Sequence, residues 1–222
     1  IDYVFDDSYY LRGRLDMMLS NLAMGAVLVA IVLGLFLNLQ VAKWVMVGIP
    51  VSFLGALWLM PINPYPVNIN VLSLFAFIMV LGIVVDDAIV IGESIFSEGK
   101  DEAGKAEAKA KQLNGGETPD DFVYITPVDT VITGARKVAT PSTIGVLTTM
   151  AAFAPILFIG GNVAAFLEAI SVVVILCLIF SLIESKLILP AHLVGLRFAK
   201  PKQTRWAFIA RWQESIDRRM SR

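Results

Sequence analysis

Charged residues along this chain gather in three groups: the first twenty positions, a stretch around 93–137, and the tail after 196. The intervals between them are nearly free of charge. Their apolar runs are continuous rather than alternating, which predicts helices and not the strands of a barrel. Five runs are near the length that a tilted helix needs to cross about 30 Å of hydrocarbon. They cover residues 17–39, 44–60, 71–91, 138–159 and 163–189. Pro50 and Pro155 fall inside the second and fourth runs, where a missing backbone donor should kink the helix and a packed bundle can tolerate it. The expected fold class is therefore an all-α polytopic transmembrane bundle of five spanning helices.

Two polar segments have patterns of their own. Residues 98–113 are rich in Lys, Glu and Ala, a helix-forming mixture, and the sequence NGGETP from Asn114 to Pro119 then breaks it. This predicts a solvated helical hairpin or flexible loop within a link covering about 97–136. In the tail, Trp206, Ile209, Trp212, Ile216 and Met220 recur at helical spacing, with Arg205, Arg211, Arg218 and Arg219 mostly on other faces. That pattern predicts an amphipathic helix lying on the membrane surface with its tryptophans at headgroup depth.

Composition supports the bilayer reading. Of 222 residues, 57% are hydrophobic and 17% charged, against about a quarter charged in a soluble domain. The formal net charge of −1 gives no electrostatic footprint for nucleic acid. The single Cys177 excludes a disulfide within the chain and reads as a small buried hydrophobe. His192 stands alone, without a second ligand at metal-binding spacing, so no metal and no cofactor are expected. The first twenty residues are too acidic and aromatic for a cleavable signal peptide. A start without Met fits a piece of a longer chain.

The basic residues also orient the bundle. Lys43 follows the first run. Lys100, Lys105, Lys109, Lys111, Arg136 and Lys137 follow the third, and Arg197, Lys200, Lys202 and Arg205 follow the fifth. The links after the second and fourth runs carry no charge. Basic links face the cytoplasm, so the N-terminus is expected outside and the C-terminus inside. Arg12 and Arg14 oppose this weakly.

The candidate chemistry lies in the third run, VLSLFAFIMVLGIVVDDAIVIGESI. Asp86 and Asp87 follow about fifteen uninterrupted apolar residues, too deep for a short side chain to reach either surface. Neighbours on a helix differ by about 100°, so both can face one bundle interior only with a cavity or partners there. Two coupled carboxylates in a low dielectric can load and release protons near physiological pH, which a proton relay needs. Glu93 lies seven residues beyond Asp86 on nearly the same face and is a candidate proton exit. Glu168, Glu184 and Lys186 lie toward the ends of the fifth run. Glu184 is expected to face protein, Lys186 to snorkel, and the two to point different ways.

The segment LGIVVDDAIVIGESI resembles the fourth transmembrane helix of resistance-nodulation-division (RND) permeases, the proton-driven efflux pumps of the hydrophobe/amphiphile type in Gram-negative bacteria. The resemblance extends through FLNLQVAKWVMVGIPVSFLGAL, NINVLSLFAFIMVLGIVVDDAIV, TTMAAFAPILFIGG and LILPAHL. Nearly the whole chain is thus similar to helices two to six of the first half of such a permease. On this resemblance residues 1–16 correspond to the end of the periplasmic porter domain, 17–196 to the transmembrane domain, and 197–222 to the cytoplasmic connecting helix.

The resemblance implies a multi-pass protein of the bacterial inner membrane that exports amphiphilic compounds by proton antiport. It implies Asp86 and Asp87 as the relay, with the proton as coupling ion. Its partners would be the lipid bilayer, the second half of the permease and the porter domain. The parent would be a homotrimer with a periplasmic adaptor and an outer-membrane channel. The family's lysine partner for the aspartates comes from the second half. This chain is therefore expected to lack it and not to transport alone. Two departures stand out: a longer link centred on 99–122, and Glu184 and Lys186 in a region that is commonly apolar. Two other readings compete. One is a scaffold or sterol-sensing-like binding module with a structural aspartate pair. The other is an intramembrane aspartyl protease, disfavoured because adjacent residues on one helix cannot face each other as a dyad.

Overall fold

The computed structural model describes residues 7–36, 38–62, 67–119, 122–159 and 164–199. Helices α1 (Asp7–Phe36), α2 (Leu39–Leu59) and α3 (Val71–Leu113) come first. Strand β1 (Val123–Ile125) leads into α4 (Val128–Phe153), which tightens into a 3₁₀ turn, Ala154–Phe158. Helix α5 (Ala164–Ile183) passes through a π-helical turn, Glu184–Ile188, into the short α6 (Leu189–Leu193), followed by strand β2 (Arg197–Ala199).

Among the described residues four stretches are helical, long and apolar enough to cross a membrane: Leu39–Leu59, Val71–Leu113, Val128–Phe158 and Leu167–Leu193. The expected first span corresponds to α1, whose apolar part, Leu19–Leu35, is shorter. The bundle is all-α, as its hydrophobic pattern requires. Helix α3 is its axis and packs against α1, α2, α4 and α5. Val45, Val80, Ile91, Val173 and Leu178 lie in the shared core, fully buried.

Local chemistry sets the ends of α3. The Asn70 side chain accepts hydrogen bonds from the backbone N–H of Leu72 and Ser73, both at 2.9 Å. The Ser73 hydroxyl accepts from Asn70 N–H at 2.8 Å, completing a capping box. At the other end Gly115 and Gly116 have φ of 70° and 104°, a left-handed conformation that stops a helix and that a side chain would disfavour.

Between these ends α3 runs for 43 residues without a break, about 65 Å. This corrects the expectation of a separate hairpin or loop over 98–113. No proline interrupts the sequence, and its Lys, Glu and Ala residues extend the span directly as a solvated helix.

Two further expectations change. Pro155 does not kink a continuing α-helix. It sits in the first turn of the 3₁₀ segment that succeeds α4, where its missing N–H costs little. Pro50 does lie within α2, and Pro141 lies within α4. Residues 197–199, assigned above to a connecting helix, form β2. It pairs antiparallel with β1 in the register Val123↔Ala199, Tyr124↔Phe198 and Ile125↔Arg197. The amphipathic helix expected around Trp206–Met220 and its Arg205, Arg211, Arg218 and Arg219 lie outside the described residues.

The strand pair has a topological consequence. Thr126 N–H donates to Leu196 C=O at 2.9 Å, and Gly195 N–H donates to Thr126 C=O at 3.0 Å. The link after α3 and the segment after α6 therefore meet on one side of the bundle. The alternation of basic and neutral links requires this of them.

Candidate intramembrane charge site

Close approach of α4 to α3 builds one wall of the site. Ser94 Oγ donates to Gly134 C=O at 2.7 Å. A Cβ on Gly134 would lie 2.7 Å from Ile95 Cα, so only glycine lets the backbones come this near. Farther along, the same helix pair places Ser142 of α4 against Asp87 of α3. The Ser142 hydroxyl donates to Asp87 Oδ1.

The π-helical turn supplies the second wall. Leu189 N–H bonds to Glu184 C=O, one residue farther than an α-helix reaches. The wider turn displaces side chains from α register, a feature common at functional sites. Ser185 and Lys186 both turn toward α3. The Ser185 hydroxyl donates to Asp87 Oδ2. Lys186 Nζ donates to the Ser142 hydroxyl and lies 3.6 Å from Asp87 Oδ1. The Asp87 side chain is only 3% exposed, so its carboxylate is held away from water by two hydroxyls and an ammonium.

Lys186 thus departs from its expected role. It turns inward to an anion instead of snorkelling, because the π turn aims it across the bundle. The same contact gives Asp87 a cation from within this chain, in addition to the lysine that the resemblance places in the second half.

Asp86 takes the other direction. It is exposed and lines an open cleft of about 440 Å³ between α3 and α4, with Asp87, Ile83, Val90, Pro141, Ser142 and Thr149 along its walls. The two aspartates are therefore not equivalent. Asp87 is fixed in the bundle, and Asp86 faces the cleft beside it. Glu93 is exposed farther along α3.

Glu184 is buried, as expected of a side facing protein. Its carboxyl group packs on Gly48 of α2, where any Cβ would collide with it. Glu184 and Lys186 therefore point apart, and Glu184 is an electrostatic neighbour of Asp87. Glu168 is half-buried at the start of α5. His192 Nδ1 lies 2.8 Å from Ile188 C=O, and its ring stacks 4.1 Å from that of Trp44. Among the described residues no group of three His, Cys, Asp or Glu side chains converges as a metal site.

The residues that sequence reasoning missed are Ser142 and Ser185. Serines in apolar helices usually satisfy their hydroxyls on the preceding turn, so nothing local singles these two out. The usable signal was Lys186, a charge in an apolar run with a serine beside it.

In a helical membrane bundle, a buried carboxylate with hydroxyl and ammonium partners beside an exposed one marks a functional site. The sequence model of the AcrB/AcrD/AcrF family matches residues 1–221, and the chain belongs to this family of RND efflux permeases. It is 26% identical over 190 residues to the toluene efflux pump membrane transporter TtgE of Pseudomonas putida. It is 28% identical over 201 residues to the multidrug resistance protein MdtC of Escherichia coli O139:H28, and 25% identical over 191 residues to the solvent-resistant pump membrane transporter SrpB of Pseudomonas putida. These matches cover 85%, 89% and 85% of this chain and 16%, 17% and 16% of the relatives. The chain thus spans about a sixth of the length of these relatives.

Proposed function

We propose that this chain is the membrane part of a proton-driven multidrug efflux transporter, in which Asp86 and Asp87 exchange the coupling proton. The observation that carries this reading is Asp87: a carboxylate deep in an apolar helix, with two hydroxyl donors and an ammonium 3.6 Å away, next to a second carboxylate on an open cleft. Burial without purpose is costly for an ionisable side chain. A proton entering by the cleft meets Asp86 first, and the adjacent Asp87 can then take it up. Neutralising Asp87 removes the anion around which α3, α4 and the π turn are arranged, and so changes their packing. Glu93, about 10 Å farther along α3, is the proposed exit toward the cytoplasm.

Export of toxic organic compounds is supported by relatives named for toluene efflux, solvent resistance and multidrug resistance, and the amphiphilic character of the cargo is what the family resemblance implies. The parts that would complete transport are what the family resemblance implies: a second permease half, a porter domain, a homotrimer, and a periplasmic adaptor with an outer-membrane channel. The orientation proposed is N-terminus periplasmic and C-terminus cytoplasmic in the inner membrane. The test is export of toxic amphiphiles from cells lacking other pumps, at matched protein levels in the intact transporter. Asp86→Asn and Asp87→Asn should each abolish export while leaving expression near normal, because Asn keeps size and hydrogen bonding but cannot exchange a proton. Acting as one unit, the pair should suffer no further loss in the double variant. Normal export by both single variants would return the pair to a structural role.

A further inference from the structure

The three groups gathered around Asp87 do not respond alike to a proton. A serine hydroxyl both donates and accepts, so Ser142 and Ser185 can reorient when the carboxylate becomes a carboxyl group. An ammonium only donates. With Asp87 neutral, Lys186 keeps the Ser142 hydroxyl but loses its anion, 3.6 Å away. It is the one member of the set that cannot be satisfied by rotating a hydroxyl. It also stands on the π-helical turn Glu184–Ile188, a rare register that is frequent at functional sites.

We infer that Lys186 is the counter-cation of Asp87 supplied from within this chain, and that its release couples the charge of Asp87 to the α5–α6 joint. The inference rests on the proton-exchange reading above and assigns the coupling to a residue that reading does not use. Lys186 acts as a positioning residue, since it touches the proton-binding group and not the cargo. The charged groups near it among the described residues are few. Asp86 and Asp87 come from α3, and Glu184 comes from the π turn itself. Helix α2 presents Gly48 to Glu184, and its Lys43 is exposed at the start of the helix. Helix α4 contributes Ser142, while its Lys137 pairs with Glu98. No other described cation competes for Asp87.

The experiment uses the whole chain in lipid nanodiscs. A membrane-permeant acylating reagent is added at fixed pH, and the labelling of each lysine is followed by mass spectrometry, with exposed Lys43 as the internal reference. Removing a carboxylate partner changes a neighbour's ionisation by about a unit or more, so Lys186 should label about tenfold faster in Asp87→Asn. Asp87→Glu should label like the native chain. Equal Lys186 rates in the native chain and Asp87→Asn would overturn the pairing.

An infrared measurement covers the reciprocal change. Lys186→Met should gain a protonated-carboxyl band at pH 7 that adding Asp87→Asn removes, and Lys186→Arg should show none. No band, or a band that survives Asp87→Asn, would overturn the assignment. Failure of the underlying reading is separable from both. Normal export by Asp87→Asn with Asp87-dependent labelling of Lys186 would leave the contact standing and overturn its coupling role.

Discussion

Removing the Ser185 hydroxyl tests whether Asp87 is held as the geometry suggests, because the bundle supplies its own control. Ser185 and Ser171 are both 0% exposed on the same helical span. The Ser185 hydroxyl donates to Asp87 Oδ2, whereas that of Ser171 has no hydrogen-bond partner among the described residues. Serine to alanine removes one oxygen at either position and leaves a similar small void.

At Ser171 the change deletes an unsatisfied polar atom, so the expected effect lies between neutral and mildly stabilising. At Ser185 it deletes a donor to a buried carboxylate. Neutral hydrogen bonds between membrane helices average about 0.6 kcal/mol, and bonds to a charged group are worth about 1.5–3 kcal/mol. With Lys186 and Ser142 still in place, Ser185→Ala should cost about 2 kcal/mol. The assay is the unfolding free energy of each variant in mixed lipid–detergent micelles. Equal effects at Ser171 and Ser185 would refute the reasoning. A cost near 0.6 kcal/mol at Ser185 would mean that Asp87 is already neutral under the conditions of the assay.

Other outcomes follow from the same structure. Gly134→Ala places a methyl group against Ile95 Cα, and overpacking of about 1–3 kcal/mol should exceed the roughly 1 kcal/mol gain in helix propensity; a more stable variant in the same unfolding assay would contradict the close approach of α3 and α4. Gly48→Ala should destabilise through collision with the Glu184 carboxyl group, and Glu184→Ala in the same background should relieve most of that loss; additive losses would argue against the contact. A cysteine introduced at Ala110, on the solvated end of α3, should resist an impermeant thiol reagent in intact cells, and strong labelling from outside would invert the proposed orientation. Glu93→Gln should reduce export less than either aspartate substitution, because water can replace an exposed carboxyl group.

How much of this the sequence discloses depends on the residue. Asp86 and Asp87 are visible because aspartate is short and the apolar run before them is long. The spans are visible for the same reason: a bilayer forces continuous apolar helices. The single helix through 71–113 was hidden by a change of solvent along it, not by a change of conformation. Its apolar half and its Lys- and Glu-rich half look like separate elements, although no proline divides them. Strands β1 and β2 have three residues each and owe their form to pairing across the chain, which no local pattern records.

Lys186 was visible as an anomaly but misread. A lysine near a helix end normally reaches for the headgroups. Here it stands on a π turn and faces Asp87 instead. Ser142 and Ser185 become meaningful only after that turn has brought them to Asp87.

Proton exchange at the aspartate pair is most directly measured as substrate-induced proton movement, with the intact transporter reconstituted in vesicles containing a trapped pH dye. Adding an amphiphilic substrate under an imposed proton gradient should change the internal pH with the native pair. The change should vanish in Asp86→Asn and in Asp87→Asn, while equilibrium binding of the substrate stays the same. A proton signal of native size in both variants would contradict the account.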